Sequence, residues 1–444
     1  MQGEERMLTG WGRTTIAHTR AAAPASDMEA AALLGGAAGP MIAFGGGRSY
    51  GDAALNDGGD TLLTGALNRI LSFDEASGEI VCEPGVTFRE LIDRFLDRGW
   101  IVPVSPGTAF ATIGGAVAND VHGKNHDRAG SFGDHVLWLD LLAPDGRLLR
   151  LSPRENVELW RATIGGIGLT GVILRVAFAM KRVRSSLVTV REARAGDLDA
   201  LMAALRAARA QSTYTVAWID ATATGRSVGR GILEAAEHAE AGFTARPARR
   251  ALRLPVDFPG FALNPLSIGL FNQLYYRRVP AAGRARTLSF DAFLYPLDAL
   301  LDWNRMYGRR GFYQFQCVIP EAEADRGIRA LLETIAASRS ASFLAVLKTL
   351  GSSGRGFLSF PFPGFTLALD FPARGKTPEL MARLERLTLD HGGRVYLAKD
   401  ACLSSEGFRR MYPQLPHYEA VLHEIDPMGR LRSDMARRLR IGDA

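Results

Sequence analysis

Hydrophobic residues in the first third of the chain fall in short runs, each closed by glycine or a polar turn. Met41–Phe44 is an apolar run ending in Gly45-Gly46-Gly47, which predicts a buried strand feeding a glycine loop. Further strands are predicted at 61–63, Glu79–Cys82 and Val136–Leu142. Ser26-Asp27-Met28-Glu29 reads as a capping box opening a short helix that stops at Gly35-Gly36, and a second helix is predicted over about 87–98. The pattern is mixed α/β without regular βαβ repetition.

The texture changes from about Val183, where glycine thins out and alanine and arginine rise. Leu198, Leu201, Leu205 and Ala208 share one face of a helix over 198–210. Strands are predicted at Tyr214–Ile219, 312–319, 341–350, 358–360 and 365–371, with helices at 321–337 and 378–391. Strand pairs alternating with helices predict an antiparallel sheet covered on one face. The reading is α+β in two domains, 1–187 and 188–393, with 394–444 returning to the first.

Composition bounds the alternatives. The 444 residues are 47% hydrophobic and 23% charged, ordinary for a soluble globular chain and far from a disordered or multi-span membrane one. The balance of 53 basic and 47 acidic residues, net +6, does not imply nucleic acid. Five lysines, Lys124, Lys181, Lys348, Lys376 and Lys399, stand among those 53, so a lysine here is informative. Three widely spaced cysteines, Cys82, Cys317 and Cys402, suit neither a disulfide framework nor a zinc site. The polar opening at 1–20, and the lack of a long apolar run, predict a cytoplasmic chain that meets a membrane at most peripherally.

Glycine supplies the chemistry. It numbers 48, about 11% against a usual 7%, and the excess collects in three loops, at 45–52, 106–125 and 165–173. The first is neither a phosphate-binding Walker loop nor a dinucleotide fingerprint, and alone it is equally a tight turn. The second places His122, Lys124 and Asn125 at the end of a stretch rich in glycine, alanine and threonine, as a backbone lying against a planar cofactor requires. The three together point to a large phosphate-bearing cofactor. A β-branched residue at Gly114 or Gly115 is expected to intrude on it.

Gly-Arg-Ser-Tyr-Gly-Asp at 47–52, Pro-Gly-Thr at 106–108, Gly-Gly-Ala at 114–116, His-Gly-Lys-Asn-His at 122–126 and Gly-Gly-Ile-Gly-Leu-Thr-Gly at 165–171 follow one another in an order that resembles FAD-linked oxidases of the vanillyl-alcohol oxidase type. The segments 129–133, 295–298, 303–305, 358–363, 396–400 and 433–439 narrow the resemblance to a branch acting on a lipid-linked ribose. It spans Gly10 to Leu439. It implies a two-domain fold in which a PCMH-type N-terminal domain and the C-terminal tail hold FAD and a substrate domain forms the other wall of the flavin cleft, with oxidation of the C2′ hydroxyl of a polyprenylphosphoryl-β-D-ribose to the 2′-keto sugar. An NAD(P)H-dependent reductase would then complete epimerisation to the arabinose lipid donor of cell-wall arabinan. An FAD oxidase of soluble sugars, alditols or aldonolactones is the competing enzyme reading, and a flavin-binding or basic interaction protein without turnover the non-enzymatic one.

On this resemblance the expected FAD contacts are Gly45, Gly46, Gly47, Arg48, Ser49, Tyr50 and Gly51; Pro106, Gly107, Thr108, Ile113, Gly114, Gly115, Ala118, Asn119, His122, Gly123 and Asn125; Gly168, Gly171, Val172 and Ile173; and Tyr396 and Lys399. Lys399, Tyr50, His122 and Lys124 are the catalytic candidates, Lys399 first, although a lysine beside Asp400 is ordinarily a solvated pair. Alternation puts Gln314 and Gln316 on one strand face and Thr366, Ala368 and Asp370 on another. These, except Thr366, are expected with Lys124, Lys348 and Lys399 to hold the sugar. Arg48 replaces the histidine that often bonds the flavin covalently in related oxidases, so FAD is expected to be non-covalent. Ala368 replaces a cysteine of the resembling enzymes. No metal is required. Arg246, Arg249, Arg250 and Arg253 lead on to Tyr275-Tyr276-Arg277-Arg278 with little regular period, which suggests a mobile segment touching a polyprenyl phosphate at a membrane or a plain solvated basic loop.

Overall fold

The computed structural model describes residues 3–243, 251–340 and 343–443; Arg246, Arg249 and Arg250 lie outside them. The N-terminal half carries two sheets. In the first, Glu4–Thr9, Ile16–Ala22, Asp60–Leu63 and Met41–Phe44 lie side by side, Asp60–Leu63 running parallel to both its neighbours. The second is antiparallel, in the order Ile70–Phe73, Glu79–Cys82, Val172–Ala179, Val136–Leu142, Leu148–Leu151. The helix Asp27–Gly35 starts where the capping box put it, the Ser26 hydroxyl accepting from Glu29 N. Thr87 caps Phe88–Phe95, which tightens into a 3₁₀ turn over Leu96–Arg98.

The second half is built on an eight-stranded antiparallel sheet: Arg284–Ser289, Leu187–Ala195, Gly231–His238, Tyr214–Ile219, Ala345–Leu350, Gly364–Pro372, Phe312–Pro320 and Arg394–Val395. One face is covered by the helices Leu198–Arg209, Ala324–Ser338 and Thr377–Asp390, whose leucines share a core with Ala217, Leu347, Leu367, Leu369, Phe315 and Cys317. Side chains alternate along a strand. The intervening residues Trp218, Val346, Ala368 and Gln316, paired strand to strand, therefore form a row on the opposite face, and that face is the one turned to the glycine loops.

Two expectations are corrected. Residues 358–360 are not a strand: in the surrounding Gly/Pro-rich stretch Ser359 Oγ donates to Asp120 and accepts from Gly356 N, fixing a turn. The segment read as irregular contains the helix Pro265–Arg277, capped by Asn264. Four strands of the large sheet, Leu187–Ala195, Gly231–His238, Arg284–Ser289 and Arg394–Val395, were not predicted.

The tail after Val395 packs back on the N-terminal half. Tyr50 N donates to Ala398 O, Met41 N to Arg430 O, Arg432 N to Met41 O, and the Tyr418 hydroxyl to Gly166 O. Arg438 grips Asp52 through two nitrogens at 2.8 Å and reaches Asp400 at 2.9 Å. Among the described residues no helix is long and apolar enough to cross a membrane.

Candidate active site

The three glycine loops and the open face of the large sheet enclose a cavity of about 750 Å³. Residues 45–51 form one wall. Gly51 is pressed so tightly on the tail that a Cβ would lie 2.0 Å from Asp400 O. Within the second loop Ile113–Ala118 forms a short helix, which was not predicted, capped by the Thr112 hydroxyl. Its turn presents Gly114, Gly115, Ala118 and Asn119 to the cavity and sends Ile113, Ala116 and Val117 into the core.

Most of the anticipated residues line this space, including Gly45 to Gly51, Pro106, Gly107, Thr108, His122, Gly123, Lys124, Gly168, Gly171, Ile173, Gln314, Gln316, Lys348, Ala368, Tyr396 and Lys399. Four do not. Ile113 and Val172 are fully buried in hydrophobic clusters. Asn125 turns away to donate to Pro103 O. Asp370 lies one layer behind the wall, accepting from Gln314 Nε2 at 2.6 Å and the Tyr307 hydroxyl at 3.1 Å.

Three of the chain's five lysines, Lys124, Lys348 and Lys399, meet in the cavity. Burial pushes Lys124 and Lys348 down to about 8, Lys124 itself adding to the effect on Lys348. Lys399 is pushed down to about 7 by burial, with Asp370 opposing and Lys348 assisting. Its ammonium lies 3.9 Å above the Tyr50 ring. Asp370 is raised to about 7 by burial, against the pull of Gln314, Lys399 and Tyr307. Tyr50, sealed in the same network, is held well above its usual range by burial and by Asp370.

His122 stacks among Phe360 and Tyr396, and burial with the nearby lysines holds it neutral. Its Nε2 accepts from Gln316 Nε2 at 2.9 Å, so the ring proton belongs on Nδ1, which is buried without a partner. Asn119 Oδ1 and Arg48 Nε are likewise buried and unpartnered. Buried polar atoms left unpaired cost about 1–3 kcal/mol each. These three, all on cavity-lining residues, fit a polar cofactor that supplies the missing partners. The Arg48 guanidinium stacks on Trp11 at 4.3 Å and on Phe110 at 5.3 Å.

Several lining residues escaped the sequence reading. Trp218 and Val346 follow from strand alternation once the sheet order is known. Asp298, which accepts from Ala109 N at 2.7 Å and so pins the second loop, and Trp303 sit in segments noted for the resemblance but given no role. Phe271 comes from the unpredicted helix, as does Tyr275, which the sequence suggests only as part of a mobile basic segment.

An FAD-binding domain family model matches residues 20–152. Over 98% of both chains the sequence is 37% identical to a decaprenylphosphoryl-β-D-ribose oxidase of Mycolicibacterium smegmatis. It is 36% identical to an uncharacterized protein of Streptomyces coelicolor, over 80% of this chain and 100% of that one. A mitochondrial cytochrome-type D-lactate dehydrogenase of Arabidopsis thaliana is 26% identical over 32% of this chain and 26% of its own length.

Proposed function

The chain belongs to the decaprenylphosphoryl-β-D-ribose oxidase family of FAD-dependent oxidoreductases, and from that premise we propose that it oxidises the C2′ hydroxyl of a polyprenylphosphoryl-β-D-ribose to the 2′-keto sugar. One observation carries the choice of substrate: three lysines converge in one cavity, and among the described residues none of the three forms a salt bridge. A neutral sugar offers nothing to offset the cost of burying the Lys124 and Lys348 ammoniums. A sugar phosphodiester beside a pyrophosphate-bearing cofactor does.

FAD held in this cavity would supply the two-electron acceptor for the C2′ hydride. The glycine loops at 45–51, 106–108, 114–119 and 168–173 hold it with Tyr396, and the unpartnered atoms of Arg48, Asn119 and His122 support this. Arginine forms no bond to the flavin methyl, so FAD is non-covalent and leaves with the supernatant after acid precipitation. Lys399 Nζ takes the hydroxyl proton, a role supported by its neutral form being accessible near pH 7. Tyr50 holds that amine in place from below. Gln314 and Gln316 bond sugar hydroxyls from the sheet face, Ala368 leaves room between them, and Lys124 and Lys348 take the phosphodiester. Asp370 acts through Gln314 and Lys399, not by touching the sugar.

The reading divides the chain into an FAD domain at 1–187, a substrate domain at 188–393 and a returning tail at 394–444, supported by the tail's bonds to Met41, Tyr50 and Gly166. A separate NAD(P)H-dependent reductase consumes the keto sugar, and the enzyme works in the cytoplasm at the membrane holding its lipid substrate. The test is anaerobic bleaching of the flavin by a polyprenylphosphoryl ribose beside free ribose, xylitol and gulonolactone. Bleaching by the first alone is expected; bleaching by a soluble polyol or lactone at comparable rate overturns the substrate.

A further inference from the structure

The helix Pro265–Arg277 buries Ile268 and Asn272 and turns a line of leucines to solvent. Its inner side is fixed by polar groups: Asn272, 1% exposed, donates to Asp220 at 2.7 Å, and the Tyr276 hydroxyl donates to Ala195 O. Phe271 and Tyr275 from this helix line the cavity, Tyr275 packing on Trp218 with ring centroids 4.8 Å apart. Its outer side carries Leu266, Leu270 and Leu274, spaced four apart on one line and 86%, 63% and 64% exposed. The approach to the helix adds Leu252, Val256 and Phe261, each more than 60% exposed. Arg253 in that approach lines the cavity and pairs with Asp302.

We propose that this surface seats the enzyme on an anionic phospholipid bilayer, the leucine line entering the acyl boundary while the cavity mouth beside it opens on the membrane. The charge around it selects the occupant. Among the described residues Arg253 and Arg277 stand exposed beside the leucines, and the one acid between 251 and 278, Asp257, is held by Arg13 at 2.6 Å. Arg309 and Arg310 stand exposed behind Trp303 to Tyr307. Apolar side chains ringed by cations are the composition of an interfacial helix at an anionic leaflet. Because the same helix is both cavity wall and outer surface, a polyprenyl chain can pass from the bilayer to the sugar pocket without crossing water. The purpose of the surface rests on the lipid-substrate reading above; its test does not.

The flavin-loaded full chain is sedimented with vesicles of phosphatidylcholine, with and without phosphatidylglycerol, in the absence of sugar. Wild type is expected to pellet with the phosphatidylglycerol vesicles. Leu266→Asp, Leu270→Asp and Leu274→Asp combined should weaken that partition by at least about tenfold while leaving the flavin spectrum, and oxidation of a water-soluble short-chain substrate, unchanged. A single Leu270→Trp, read as added quenching by brominated phospholipid, keeps the test valid if the triple variant does not fold. Wild type remaining in the supernatant, undiminished pelleting of the triple variant, or a lipid-free dimer that Leu270→Asp dissociates would overturn the proposal. Vesicle binding without flavin bleaching by polyprenylphosphoryl ribose would instead remove the substrate reading and leave the docking surface standing.

Discussion

Lys399 is buried enough for its amine to lose its proton near neutrality, and the carboxylate that opposes this, Asp370, is itself raised to about 7 by burial. A base must be unprotonated to work, so flavin reduction should rise with pH through about 7. Asp370→Asn removes the charge that helps Lys399 hold its proton, so the rising limb should move to lower pH, by something of the order of one unit. A limb that stays or moves upward in stopped-flow bleaching excludes the coupling. Lys399→Ala should keep its FAD yet reduce it about 10²-fold more slowly or worse, and undiminished bleaching removes the lysine from the mechanism. Ala368 offers no nucleophile at the point where the resembling enzymes carry cysteine. A nitroaromatic activated by the flavin should therefore leave no adduct on the native chain and one on Ala368→Cys, by intact-protein mass spectrometry. An adduct on the native chain would refute that facing of the strand.

Among the elements, the short helix Ile113–Ala118 revises one expectation. A Cβ at Gly114 would meet Pro84 Cβ at 2.7 Å, so a β-branched residue there forces the helix off the 83–85 turn instead of reaching directly into the cofactor space. Gly114→Val is thus expected to lose FAD together with thermal stability. A variant with native melting and an empty flavin spectrum would favour direct intrusion. Long strands with alternating faces were legible: Gln314 and Gln316 against Phe315 and Cys317 announce which side is core. Leu187–Ala195 was not, because the inward side carries Glu192. That carboxylate is buried against Arg278, Arg284 and Arg286, which lie some 90 residues away in sequence, so the local pattern reads as polar. The helix Pro265–Arg277 was missed for the converse reason, with Asn272 beside Ile268 inward and three leucines outward.

For the molecule as a whole, the glycine loops and the returning tail could be read from motif order, whereas the pairing of sheet and loops into one cavity depends on contacts that no window of sequence contains. Arg438 shows how much hangs on them. It neutralises Asp52 beside the first glycine loop and Asp400 beside Lys399, both 5% exposed. Arg438→Met strands two buried carboxylates and should cost about 3–5 kcal/mol, with flavin fluorescence released at the same lowered temperature at which the fold melts. Flavin release and melting that shifted independently would mean the tail is not part of the cofactor's support.

The bond from Tyr50 N to Ala398 O joins residues at opposite ends of the chain. Because a domain assembles as its residues become available during synthesis, a ribosome-bound chain that already displays all three glycine loops still lacks Lys399, Tyr396 and the backbone that fixes Tyr50. Cofactor loading therefore waits for residues 394–444, whose arrival closes the cavity that the three glycine loops only begin.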